Sequence, residues 1–214
     1  MNYIDISVPL TQDIPRWPGS IGFSRTQTEE ECSGVRNSVI SCDVHAGTHI
    51  DAPAHHIPEG ATIDQLLLDI LIGPATIIDT GEAPVVTKEL LERADIPHDT
   101  TRLLIKTSNS RLWKMSGSNF VKTYVGIKPD AAEWMVNRGF RLVGIDYLSV
   151  QCFDDGPQTH TILLGAGVII VEGLDLTLVR SGQYHFICLP LNIPGSEGAP
   201  ARAVVCPIKT GENL

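Results

Sequence analysis

Apolar and polar residues alternate over residues 3–8, the period of a half-buried strand. The same alternation over 35–44, with Ile40, Cys42 and Val44 on one face, predicts a second strand. Thr62-Ile-Asp-Gln65 has capping-box spacing ahead of the apolar run 66–71, which predicts a helix starting there. Gly73-Pro74 should end it and hand the chain to a short buried strand over 75–79. Residues 87–94 carry the pattern of a short amphipathic helix, and 102–107 that of a strand. Pro129 opens a helix that should run through Arg138 and close at Gly139, with proline just inside the start and glycine just past the end. Residues 140–146 and 168–171 read as strands. Residues 184–189 and 201–205 read as a terminal strand pair across the turn-rich stretch 192–200. The expectation is an α/β chain in which strands outnumber helices. No repeat, low-complexity stretch or linker interrupts it, so residues 1–214 are expected to form a single domain.

Composition narrows the function classes. With 43% hydrophobic and 19% charged residues, the chain is far from the composition of intrinsic disorder. At 214 residues it can bury roughly 70% of its unfolded surface without a covalent staple. The formal charge of −9, with no basic run, argues against a nucleic-acid partner. The longest near-apolar stretch, 162–171, is broken by Gly165 and Gly167 and falls well short of the ~20 residues that span a bilayer. The opening MNYIDISVPL has no basic region ahead of an apolar core, so no signal peptide is expected. Five scattered cysteines (Cys32, Cys42, Cys152, Cys188, Cys206) form no C-x-x-C pair and read as reduced thiols of a cytoplasmic protein. A metal, if bound, would have to be held by histidines and carboxylates.

Four of the seven histidines crowd into His45-Ala-Gly-Thr-His49-Ile-Asp51-Ala-Pro-Ala-His55-His56. His45, His49, Asp51 and His55 share one parity, so an extended chain would point them to one side. A helix fails here. At ~100° per residue Asp51 would rotate about 240° from His45, and Pro53 and Gly47 both oppose it. A straight strand also fails, since four residues span ~13 Å, too far for two imidazoles to share an ion. The chain must bend, and Gly47 sits where the bend is needed. The segment is therefore placed at the end of the strand over 35–44, turning into a loop. Imidazole and carboxylate suit Zn²⁺ or Mn²⁺, and two His with one Asp leave positions open for water. Spacing alone does not connect His160 or Glu172 to this cluster. Glu172 ends an apolar run that should deliver it to a sheet edge, and His160 follows a polar turn.

The run His45-x-Gly-Thr-His49-x-Asp51-Ala-Pro-x-His55 resembles the H-x-G-T-H-x-D-x-P-x-H signature of the cyclase-like metal hydrolases, a group that includes bacterial kynurenine formamidase (arylformamidase) and isatin hydrolase. Asp5-Ile-Ser, Trp17-Pro18-Gly19, Gly144-Ile-Asp146, Glu172-Gly173-Leu174 and Gly198-Ala-Pro-Ala-Arg202 look like further landmarks and extend the resemblance over almost the whole chain. The resemblance implies an α/β fold of the swivelling β/β/α type with a mixed sheet. It implies one metal held by His45, His49 and Asp51, and a second, bridged by Asp51, held by His160 and Glu172. His55 would be the proton acceptor and donor, and Trp17 a substrate-contacting aromatic. It implies a homo-oligomer, dimer or tetramer, acting on a small molecule. Many formamidases read Gly-x-Asp-Thr-x-Ser where this chain has Gly144-Ile-Asp-Tyr-Leu-Ser149, so Tyr147 could reshape the pocket. Arg202 reads as a surface residue on the last strand. The expectation is a metal-dependent hydrolase opening an amide C–N bond, most like arylformamidase, with Zn or Mn, two ions per chain. A cyclic-amide hydrolase of the isatin type or a cyclase is the alternative within enzymes. A non-catalytic metal- or ligand-binding protein is the alternative outside them.

Overall fold

The structure is a computed structural model that describes residues 2–29, 35–114 and 119–208. In chain order its elements are β1 (Ile4–Asp5), β2 (Phe23–Glu29), β3 (Arg36–Cys42), β4 (His49–Asp51), α1 (Leu68–Leu71), β5 (Ile72–Asp79), α2 (Lys88–Arg93), β6 (Arg102–Lys106), α3 (Pro129–Arg138), β7 (Leu142–Ile145), α4 (Gln158–Gly165), β8 (Ile169–Glu172), β9 (Gly182–Pro190) and β10 (Gly198–Pro207). Single 3₁₀ turns cover Pro53–His55 and Ile63–Gln65, and a longer one covers Ser108–Lys114. The architecture is α/β with a mixed sheet, as expected.

The strands run in the order β1-β10-β4-β8-β7-β6-β5-β9, and β9 pairs back onto β10. The sheet thus closes on itself. The long strand β10 makes the closure possible. One edge pairs with β9 from Ala201 to Pro207. The other edge pairs with β4 at Gly198–Pro200 and with β1 at Val204 and Val205. β5 through β8 are mutually parallel and the remaining pairs antiparallel.

Alternation along the parallel strands divides two cores. Ile77, Leu104, Leu142, Ile169 and Val171 face the enclosed side with Ile50, Phe186 and Val205. Their neighbours Ile78, Leu103, Ile105, Val143, Ile145 and Ile170 face outward, against Leu91 of α2, Ala131, Ala132 and Met135 of α3, and Leu163 and Leu164 of α4. Strands buried on both faces read as continuous apolar runs, which is why these were legible.

Three expectations are corrected. The helix over 66–71 shrinks to one turn, Leu68–Leu71, because Leu66 and Leu67 are extended (ψ 135° and 125°). The capping box over Thr62–Gln65 does form, with the Thr62 N–H donating to Gln65 Oε1 (3.0 Å), but the turn it opens is a single 3₁₀ turn. Gly73-Pro74 does not separate helix from strand, since β5 runs through both residues. The strand over 35–44 ends at Cys42 and has no buried face. It pairs with β2 in a separate two-stranded sheet, and Val39 and Ile40 are 62% and 54% exposed. β2 itself, Phe23-Ser-Arg-Thr-Gln-Thr-Glu29, escaped prediction because a single apolar residue gives no period. Among the described cysteines all four are free thiols, Cys188 and Cys206 buried; Cys32 lies outside the described residues.

Candidate metal centre

The chain leaves β3, turns at Gly47 (φ 64°) and enters the sheet again as β4. The bend falls where expected, but His49-Ile50-Asp51 is a strand inside the sheet rather than a loop after β3. β4 is hydrogen-bonded between β10 and β8, with His49 opposite Glu172. Side chains at directly opposed positions share a face, and so do residues two apart on one strand. His49, Asp51 and Glu172 therefore converge by register alone. Glu172 arrives at the end of an interior strand, between β4 and β7, and not at a sheet edge.

Glycines allow the strands and the bend to meet. A Cβ on Gly173 (φ 70°) would lie 2.1 Å from the Gly47 carbonyl oxygen, and one on Gly198 would lie 2.6 Å from His45 Cε1. The Thr48 hydroxyl fastens the same junction, donating to the Gly173 carbonyl (2.5 Å) and accepting from the Val8 N–H (2.9 Å).

All five expected ligands meet. Asp51 is fully buried. Its Oδ1 lies 2.8 Å from His45 Nδ1 and 3.5 Å from His49 Nε2. Its Oδ2 lies 3.6 Å from His160 Nε2. Glu172 Oε1 is 3.1 Å from His160 Nε2, and its Oε2 is 3.4 Å from His49 Nε2. His160 comes from α4, a helix closing on β8. Carbonyl oxygens only accept, so two contacts fix tautomers. His49 Nδ1–H donates to the Gly47 oxygen (2.9 Å), and His160 Nδ1–H donates to Gln151 Oε1 (2.8 Å). Both rings thereby aim Nε2 at the carboxylates. The Val150 N–H donates to Glu172 Oε1 (2.6 Å) and orients that carboxylate.

Burial by itself favours neutral imidazole, but hydrogen bonding to Glu172 and the charges of Asp51 and Glu172 outweigh it at His49, raised to about 9. The same opposition, with Asp51 and Glu172 prevailing, raises His160 to about 10. Asp51 is held well below the usual carboxylate range: burial opposes this, and its contacts with His160 and His45 prevail. Glu172 is lowered too, against burial and the nearby Asp51 charge, by His160 and His49. Burial lowers His55 and, with the charges of His160 and His55, takes His56 down to about 4.

Two atoms in this crowd, His45 Nε2 and Asp51 Oδ2, are buried without a hydrogen-bond partner. Buried polar atoms are ordinarily satisfied, so orphaned donor atoms facing a nest of imidazoles and carboxylates fit a cation. Within 4.8 Å of one another lie the ligand atoms of His49, Asp51 and Glu172, those of His45, Asp51 and His55, and those of His55, His56 and His160. Zn²⁺ or Mn²⁺ suits that donor set, and the shared Asp51 could bridge two ions. His55 sits on the 3₁₀ turn after β4, its ring 4.1 Å from that of His45.

The cluster floors a cavity of about 540 Å³. Trp17, Pro18 and Leu148 line it together with His45, His55 and His160. Trp17 packs against Phe120 (ring centroids 5.1 Å) and Phe153 (5.4 Å). Arg202 is exposed and forks onto Asp5 away from the cavity, in keeping with its surface reading. Sequence reasoning passed over Gln151 and Thr48, and it gave no role to His56, which stacks on His160 (4.6 Å, 13°). Gln151 carries no local signal, its partner lying 9 residues away in another element; Thr48 stands inside the H-x-G-T-H signature, but its partner, the Gly173 carbonyl, lies 125 residues away. His56 was visible beside His55 but lies off the shared parity.

A family model described as "Putative cyclase" matches residues 4–151. "Cyclase-like protein 1" of Arabidopsis thaliana is 36% identical over 212 residues, covering 94% of this chain and 83% of that protein. The kynurenine formamidase of Bacillus thuringiensis (strain Al Hakam) is 35% identical over 209 residues, covering 96% of this chain and 98% of its own. A solved structure described as a potential metal-dependent hydrolase with cyclase activity superposes with a TM-score of 0.82 at 33% identity, covering 95% of this chain and 96% of the other.

Proposed function

The chain belongs to the cyclase family of metal-dependent hydrolases, and on that premise we propose that it opens an amide C–N bond of a small aryl-bearing molecule, most like an arylformamidase. The observation that carries the reading is the pair of orphaned buried atoms, His45 Nε2 and Asp51 Oδ2, set among His49, His160 and Glu172 and beside a histidine, His55, on the cavity wall. The near full-length formamidase relative supports the choice of bond.

In this reading His45, His49, Asp51, His160 and Glu172 hold the metal, Zn²⁺ or Mn²⁺, two ions per chain. When bound, it lowers the pKa of a water toward ~7 and polarises the carbonyl under attack. His55 takes the water proton on a ring nitrogen and returns it to the leaving amine. Burial supports this role by favouring the neutral imidazole, the form that can accept a proton. Trp17 offers a flat apolar face to the aryl group. His49 and His160 are oriented through the Gly47 and Gln151 oxygens, so neither Nε2 needs to search for its position.

The proposal includes one domain over 1–214, a cytoplasmic location and a homo-oligomer. The exposed Val39 and Ile40 on β3 support the last. Among the described residues no helix is long and apolar enough to cross a membrane. The test is a screen of N-formyl anilines, isatins and lactams with metal content measured in parallel. Formate should appear from the formyl anilines with added Zn²⁺ or Mn²⁺ and stop with chelator. Turnover indifferent to chelator, or none on any of the three classes, overturns the reading.

A further inference from the structure

Tyr147 follows Asp146 at the end of β7 and is fully buried. It does not line the cavity. Its hydroxyl accepts a hydrogen bond from the Val121 backbone N–H at 3.0 Å. Its ring packs among Tyr124 (5.0 Å), Trp113 (5.4 Å) and Phe120 (6.0 Å). Phe120 is the residue next to the pinned N–H. It meets Trp17 edge-on at 5.1 Å and 71°, and it lies 5.5 Å from Phe153, which is itself 5.4 Å from Trp17. The three rings brace one another, and Trp17 is the member that faces the cavity.

Trp17 itself lies in a loop, between the turn at Thr11 and β2, and is 36% exposed. An aromatic side chain in such a loop keeps one orientation only if its neighbours impose it. Phe120 is its edge-on neighbour, and Phe120 is anchored from below by the Tyr147 ring and by the bond to the adjoining N–H. A smaller hydroxyl residue at 147 could not span from β7 to Val121.

We propose that Tyr147 is a positioning residue for substrate selection: through the Val121 N–H it holds Phe120, and through Phe120 it holds Trp17, as the wall against which a planar aryl group stacks. The inference rests on the reading of Trp17 as the substrate contact of the proposed hydrolysis. Tyr147 acts on the aryl half of the ligand and leaves the metal-facing half alone.

The test uses two uncleavable probes on the metal-loaded protein. 2-Aminoacetophenone is a planar aryl amine that would reach the wall. Formate is small enough to occupy only the floor of the cavity. Tyr147→Phe removes the acceptor oxygen and keeps the ring. It should weaken 2-aminoacetophenone about fivefold, the worth of one ordinary hydrogen bond, with formate affinity and metal content unchanged. Phe120→Ala should weaken the aryl probe more. The double variant should then match Phe120→Ala alone, because the tyrosine acts through the phenylalanine. Equal losses for both probes, no loss for either, or additive losses in the double variant overturn the inference, as does a wild-type protein that binds no aryl ketone. Failure of the wild type to release formate from formyl anilines would overturn the proposed activity and leave this binding comparison standing.

Discussion

Loading the metal-free protein with Zn²⁺ should release about two protons per chain from its histidines at pH 7.5, and close to one more from a water whose pKa the ion would take toward ~7. A ligating imidazole must be deprotonated, so any proton it carries beforehand leaves when the ion arrives. His49 is raised to about 9 and His160 to about 10. At pH 7.5 a group near 9 is protonated by roughly thirty to one, and one near 10 by roughly three hundred to one. Asp51 and Glu172 are lowered, so both are already ionised and contribute no proton. Calorimetric titration in Hepes and in Tris, which differ in ionisation enthalpy, gives the number from the slope of apparent heat against buffer enthalpy. Apparent affinity should rise with pH toward 9–10 and then level. His160→Ala should cut the release by about one. A slope near zero at pH 7.5 would refute the reasoning: the two histidines would be neutral before the metal arrives, or they would not be ligands.

The same charges set the stability of the metal-free protein, and the sign is definite. A raised folded-state value contributes stability that is complete below the unfolded value of 6.5 and lost as pH rises through about 9. At ~1.36 kcal/mol per pH unit, His49 alone accounts for about 3 kcal/mol, an amount shared with Asp51 and Glu172 and counted once. Denaturant midpoints of the stripped protein should therefore fall between pH 6.5 and 9, while those of the metal-loaded protein should not.

Two further substitutions separate the roles. His55→Ala should keep its metal and lose roughly 10²–10⁴-fold in turnover, the usual worth of a general acid–base; metal content falling in step with activity would make His55 a ligand, as its nearness to His45 and Asp51 allows. Glu172→Ala should lower the saturating stoichiometry from two ions to one by elemental analysis, and an unaltered count of one per chain before and after would leave a mononuclear site.

How far the fold could be read from the sequence depended on whether the signal was local. α3 was legible at both ends because its stops are its own residues: Pro129 at the start and Gly139, φ 81°, at the close. The passage from the 66–71 helix into the next strand was misread because it is decided from elsewhere. The Arg102 guanidinium, 28 to 33 residues further along, donates to the carbonyl oxygens of Asp69, Ile70, Ile72 and Pro74. It satisfies the last carbonyls of α1 and lets the chain go straight into β5. Gly73 is present to seat that side chain, since a Cβ there would lie 2.9 Å from Arg102 Nη1. What read as a breaker is a socket.

The site divides along the same line. The shared parity of His49 and Asp51 is a property of one strand and could be read directly. The meeting with Glu172 is a property of register between β4 and β8, which no spacing along the chain encodes. What the sequence did show was an anomaly: a carboxylate closing the apolar run Val168-Ile-Ile-Val171. Buried to 3% exposure, Glu172 would be costly beside Asp51 at 0% unless positive charge were brought to both. In the metal-free protein the protons on His49 and His160 supply it. Those protons sit on the atoms a metal would use, and their number matches the two carboxylate charges. The centre therefore offsets its two buried carboxylates without an ion and exchanges those protons for one. A non-catalytic fold stabilised only by these ion pairs would have no reason to leave His45 Nε2 and Asp51 Oδ2 buried with no hydrogen bond, only longer contacts to Glu197 (3.9 Å) and His160 (3.6 Å).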